Sequence, residues 1–185
     1  MKTILTILTF PMPVMAIWNP LDFASPFDFQ HTVAPRAFQI HTEDKPACEI
    51  VLPILWDGLK DHHPSIAHVA TLCGPGPFTA LRAGQAFAHG LTHGDRGISL
   101  SMVSFFDLMP KDRRASVLLD TGGNHWVNAL GQSCVRAQEG PDVLQNPGHK
   151  NSDQDVILIQ HASCSVAQVL GWCYALAGQA VGYFD

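Results

Sequence analysis

Residues Ile66–Gly84 read I-A-H-V-A-T-L-C-G-P-G-P-F-T-A-L-R-A-G, and the change of residue type along them decides the fold. Ile66 to Cys73 is a short apolar run ending in Gly74-Pro75-Gly76, the way a buried strand runs into a tight turn. From Phe78 to His93 the pattern is helical, with Phe78, Leu81, Phe87 and Leu91 set among Ala80, Ala83, Gly84, Ala86, Ala88 and Gly90. Gly84 and Gly90 each cost about 1 kcal/mol of helix propensity, so their small size has to serve close packing of another backbone. The unit is strand, turn, helix. Its turn is neither a dinucleotide G-x-G-x-x-G nor a phosphate loop, since no Gly-Lys-Ser/Thr follows, and Pro75 and Pro77 remove two amide donors. Gly74, Pro75, Gly76 and Thr79 are therefore read as a structural turn that fixes strand against helix.

Upstream, Ala47, Ile50, Val51, Ile54, Leu55 and Leu59 recur at three- and four-residue steps, which predicts a helix over Ala47–Lys60. Asp44-Lys45-Pro46 supplies its first turn, Pro53 predicts a kink, and His62-His63-Pro64 stops it. Before it come a short strand at Arg36–His41 and an irregular connection over Asn19–Pro35. At the start, Lys2 precedes an apolar stretch from Ile4 to Met15, and Val14-Met15-Ala16 imitates a signal-peptidase site. The competing and preferred reading is a strand pair, Ile4–Phe10 and Val14–Trp18, because Pro11 and Pro13 would break the leader's helix.

Downstream, Ile98–Phe106 is apolar and of uncertain type. Ser116–Asp120 reads as a strand, Thr121-Gly122-Gly123-Asn124 as a hairpin turn and His125–Leu130 as the returning strand. Gln138–Asp153 is a Gly- and Pro-rich loop, Asp155–Gln160 a buried strand and Ser165–Gly178 a helix. Strands alternating with helices predict an α/β layer fold with a mixed sheet.

Composition narrows the function. Of 185 residues, 46% are apolar and 15% charged, so a disordered native state is excluded. A net charge of −5 leaves no bulk positive field for a phosphate backbone, so any nucleic acid is gripped by something else. No apolar run approaches the roughly 20 residues that span a bilayer. The five cysteines, Cys48, Cys73, Cys134, Cys164 and Cys173, form no C-x-x-C pair and read as buried, reduced thiols of a cytoplasmic protein.

Candidate chemistry is sparse. His89 and His93 share a helix face at metal-ligand spacing, but Gly90 stands where a zinc hydrolase places Glu, and a helix C-terminus also favours His. His62, His63, His149 and His161 have no partner at ligand spacing. Ser163-Cys164-Ser165 and Cys73 lack a nucleophile elbow, Asp120 reads as a turn residue, and Trp18, Trp56, Trp126 and Trp172 are too scattered to stack bases.

Two of these segments resemble the TsaB family, accessory proteins of threonylcarbamoyladenosine synthesis on bacterial tRNA. The family's H-S-E-x-L-L-P helix is matched by Ala47-Cys48-Glu49-Ile50-Val51-Leu52-Pro53, and its G-x-G-P-G-S-F-T-G-L-R-x-G turn by Leu72 to Gly84. Val117-Leu118-Leu119-Asp120 and Trp126-Val127-Asn128-Ala129-Leu130 are similar to its later hairpin. The chain departs from the family at the first hairpin, which is the phosphate loop in the actin-like ATPase fold: Leu8 stands where I-L-x-I-D-T-S-T has Asp. The resemblance implies an actin-like ATPase (ASKHA) type α/β fold, a mixed sheet with flanking helices, with a subdomain over residues 1–95 and a reduced second one over 96–185 in a C-terminally short member. It also implies a scaffold with no catalytic residue, cofactor or metal of its own, which docks the catalytic subunit TsaD through two helices. The ATPase TsaE joins that assembly, and tRNA is met only indirectly. The expected interface is Ile50, Ile54, Leu55, Phe78, Leu81, Ala83, Gly84, Phe87 and Leu91, and Ala83→Arg or Gly84→Arg is expected to weaken docking without harming the fold. Such an apolar face would pair with a second copy when the chain is alone. The alternatives are an ATPase or glycoprotease-like metallohydrolase of the same fold, and a paralogue that has lost its partner.

Overall fold

The computed structural model describes residues 2–23, 33–42, 47–94, 97–109, 117–122, 125–129, 133–135, 157–159 and 164–181. Its elements in chain order are β1 (Thr3–Leu8), β2 (Val14–Trp18), β3 (Ala37–Ile40), α1 (Cys48–Asp57), β4 (Ile66–Gly74), α2 (Phe78–Gly94), β5 (Ser99–Ser104), β6 (Val117–Gly122), β7 (His125–Asn128), β8 (Ser133–Val135), β9 (Ile157–Ile159) and α3 (Val166–Ala180). Tight 3-10 turns cover Pro20–Phe23, Lys60–Ser65 and Phe105–Leu108.

The first sheet has the order β3-β2-β1-β4-β5. β1 pairs antiparallel with β2 and parallel with β4, and β4 pairs parallel with β5. Strand alternation explains why the apolar stretch at the start is continuous. Ile4, Leu8, Val14, Ala16 and Trp18 face one layer of core together with α3, whereas Leu5, Ile7, Met15 and Ile17 face the other, together with α1 and α2. The stretch that imitates a leader is thus a pair of inner strands buried on both faces.

Helix α3 begins at Ser165, whose hydroxyl accepts from the Gln168 amide at 3.3 Å while the Gln168 side chain accepts from the Ser165 amide at 2.8 Å, a capping box written S-x-x-Q. It buries Val169, Cys173, Tyr174, Ala177 and Ala180. Both β5 and α3 lie beyond residue 95 yet build the first layer. The second sheet has the order β8-β7-β6-β9, and Val117, Leu119 and Ile159 from it join the same core cluster as β1, β2 and α3.

Several boundaries differ from the sequence expectation. Helix α1 ends at Asp57 rather than Lys60, because Lys60–Ser65, with Pro64 and the two histidines, tightens into a 3-10 turn. The ambiguous Ile98–Phe106 divides into β5 and the 3-10 turn of Phe105–Leu108. The short β8 is an addition. The expected helix start at Asp44-Lys45-Pro46, the loop over Gln138–Asp153 and most of the Asn19–Pro35 connection lie outside the described residues.

Candidate functional site

The two helices of the expected interface lie on one face of the first sheet and touch each other through Trp56 and Phe87, whose rings stand 6.4 Å apart at 69°. Their apolar residues divide into three groups. Ile50, Ile54 and Phe78 point into solvent, with 64%, 65% and 70% of their surface exposed. Ala83, Phe87 and Leu91 are partly buried at the edge of the core shared with the sheet. Leu55, Leu81 and Gly84 are buried inside the chain.

This division corrects the docking role expected of the third group. A Cβ at Gly84 would lie 2.7 Å from Thr9 Cγ2, closer than side-chain carbons approach, so the absent side chain lets α2 sit on the end of β1. Gly84→Arg therefore attacks the fold. What remains open on the helix pair is Ile50 and Ile54, one turn apart on α1, and Phe78 at the start of α2. Arg82, one turn on, holds its guanidinium carbon 5.1 Å from the centre of the Phe78 ring, a cation–π contact.

The turn between β4 and α2 places Gly74 at φ 132°, a conformation that side chains rarely adopt, and Leu81 fills the space beneath Gly74 and Gly76. The Pro77 carbonyl accepts the Leu81 amide at 3.0 Å and opens the helix. Thr79 is exposed. The turn's geometry is accounted for by the packing of Leu81.

His68 lies in no motif of the sequence, yet both of its ring nitrogens are held by side chains. It is wholly buried on β4, with Nδ1 2.6 Å from Ser99 Oγ and Nε2 2.9 Å from Ser101 Oγ, both on β5. Ser99 Oγ donates to the Ala67 carbonyl at 3.2 Å, so Nδ1–H donates to Ser99 and Nε2 accepts from Ser101. A neutral imidazole thus cross-links two parallel strands. Burial pushes its pKa down to about 4 from the usual 6.5, which makes it a weak base at neutral pH. Between these values the unfolded chain binds a proton that the folded chain does not. Stability from this residue is therefore complete above pH 6.5 and is lost as pH falls toward 4, at about 1.4 kcal/mol per unit inside that window. Urea midpoints measured from pH 7 to 4 should fall, and in His68→Asn the fall should be shallower.

The thiols are not uniform. Cys48 and Cys173 are buried as expected, but Cys73 is exposed and Cys164 is half-buried, which corrects the reading of all five as core residues. Burial raises the Cys48 thiol and pushes Cys173 up to about 12, so both are inert as nucleophiles. The Cys134 side chain lies outside the description. His89 and His93 are exposed on α2, and among the described residues no three His, Cys, Asp or Glu side chains come together where a metal could sit. No helix among the described residues is long and apolar enough to cross a membrane.

In the β1–β2 turn, Thr9, Phe10, Pro11, Met12 and Pro13 are all buried, and the Phe10 ring meets Phe105 edge-on at 6.3 Å. The Thr9 carbonyl accepts from the Cys48 thiol at 3.8 Å, and the Pro13 carbonyl accepts from the His41 amide at 2.9 Å.

An antiparallel hairpin feeding a parallel strand, with helices on both faces and a smaller sheet behind, is the frame of the actin-like ATPase fold. Among solved structures the chain is similar to YeaZ from Pseudomonas aeruginosa, with a TM-score of 0.58 at 16% identity over 99% of this chain and 93% of that one. Also similar is an uncharacterized protein described by its similarity to peptidase YEAZ from Pseudomonas aeruginosa, with a TM-score of 0.48 at 16% identity over 84% of this chain and 71% of that one. No family model matches the sequence, and neither does any curated protein. At this identity the likeness to YeaZ is one of fold.

Proposed function

We propose that the chain is a cytoplasmic, non-catalytic accessory subunit in threonylcarbamoyl modification of tRNA, acting as a scaffold for a TsaD-like catalytic subunit. The observation that carries this reading is the exposed apolar face of the helix pair, Ile50, Ile54 and Phe78, on a fold shared with YeaZ. Large apolar side chains left in water on two packed helices are suited to burial against a partner. In that assembly α1 and α2 pack against helices of the partner, and Arg82 beside Phe78 adds one cation to the surface. On this reading the partner holds the tRNA, consistent with the net charge of −5, and a TsaE-like ATPase joins the complex.

Ile54→Arg and Phe78→Arg, made separately, are expected to leave the melting temperature within about 2 °C, because both side chains are already in solvent. Each should weaken association with the TsaD-like protein of the same organism at least tenfold, about 1.4 kcal/mol, by calorimetry. Unchanged affinity in both would remove the interface assignment. Depletion of the protein should lower threonylcarbamoyladenosine in bulk tRNA by mass spectrometry, and normal levels would remove the functional one.

A further inference from the structure

Hairpin tips are ordinarily wet and polar, because their backbone groups need water. The tip between β1 and β2 is the reverse. Five consecutive residues, Thr9 to Pro13, are buried, with Phe10 and Met12 only 6% and 8% exposed. Both belong to the cluster that contains Phe105, Phe106 and Leu108 after β5, Val117 and Leu119 of β6, Ile159 of β9, and the inner face of α3. We infer that this turn is a hydrophobic plug joining the cores of the two sheets, and that it is closed to the phosphates of a nucleoside triphosphate, the ligand for which the fold class is named.

The chemistry of the turn supports both halves of the statement. A phosphate site needs convergent amide donors or cations. Pro11 and Pro13 carry no N–H, the segment Leu8–Pro13 contains no Lys or Arg, and Thr9, its one hydroxyl residue, has its methyl directed at α2 beside Gly84. The bulkiest residue of the turn, Phe10, is buried against Phe105, and Phe105 in turn meets Trp172 of α3 at 5.1 Å. A chain of aromatic contacts thus runs from the hairpin tip through the 3-10 turn to α3.

The test uses the chain alone, so it is independent of the partner reading. Scanning calorimetry in millimolar Mg-ATP is expected to give the same melting temperature as without it, whereas a ligand bound to the folded state would raise it. Phe10→Ala is expected to lower the melting temperature by about 10 °C. Hydrogen exchange in that variant should speed up at Phe105–Leu108 and in α3 while α1, on the opposite face of the sheet, keeps its protection. A saturable rise with Mg-ATP, or a Phe10→Ala shift under about 2 °C, would overturn the inference. If Phe10→Ala yields no folded protein, Phe10→Leu supplies the graded measurement, with a loss of several degrees expected and no loss counted against the plug.

Discussion

Gly84→Leu is expected to destabilise the fold by about 3 kcal/mol, the upper part of the range for overpacking a core. Helix α2 by itself would gain from the change, since glycine costs about 1 kcal/mol of propensity relative to a good helix former. The loss comes from the other side of the contact. The new Cβ would lie 2.7 Å from Thr9 Cγ2, and Thr9 is a short, buried, β-branched residue that cannot swing away as the tip of a long side chain would. The next neighbours, Thr9 Oγ1 at 3.3 Å and Thr71 Oγ1 at 3.6 Å, leave little room in another direction. A double-mutant cycle makes the claim specific. Gly84→Ala combined with Thr9→Ser, which deletes only the offending methyl, should recover at least 1 kcal/mol relative to the sum of the single changes. Additive effects in urea titrations would show that the contact between α2 and β1 is not what excludes a side chain there.

A second large effect is expected at Trp18, which has 1% of its surface exposed at the end of β2. Its ring meets Tyr174 at 5.6 Å and Phe23 at 6.1 Å, both edge-on, and its indole N–H donates to Thr6 Oγ1 at 2.9 Å. Thr6 in turn donates to the Ala16 carbonyl at 3.3 Å. Trp18→Ala should cost 3–5 kcal/mol, roughly the whole stability of a marginal domain. Trp18→Phe keeps much of the ring but leaves the Thr6 oxygen without this donor, so it should cost about 1–3 kcal/mol, read as a shift of the urea midpoint. Equal losses for Phe and Ala would mean that volume and hydrogen bonding at this site have been apportioned wrongly.

The inner strands and the strand–turn–helix unit were legible because their signals are local. Val14–Trp18 as a strand, and Gly74 to Gly76 as a turn, need no knowledge of distant residues. The second sheet was harder. Its β8 is three residues long and includes a serine, so no period has room to appear. At the candidate site the limit was different. Hydrophobic spacing marks the apolar residues of α1 and α2 but does not say which side the chain's own sheet will claim. Leu55 and Ile54 are neighbours of nearly equal hydrophobicity, yet one is core and the other faces water. His68 escaped notice because its partners Ser99 and Ser101 stand 31 and 33 residues away, and only the parallel register of β4 with β5 brings them to the ring.

The two-faced burial of β1 and β2 also sets an order of events during synthesis. One face of that hairpin is covered by α1 and α2, complete once residue 94 has been made, but the other waits for α3, whose last turn is residue 180. Between those points the chain carries Ile4, Leu8, Val14 and Trp18 without their final cover, although β4, the parallel partner of β1, is already made. Such non-local closure folds slowly. The hairpin, made well before α3, is thus dried on that face only after α3 has been added, and exposed apolar strands of this kind are prone to association until then.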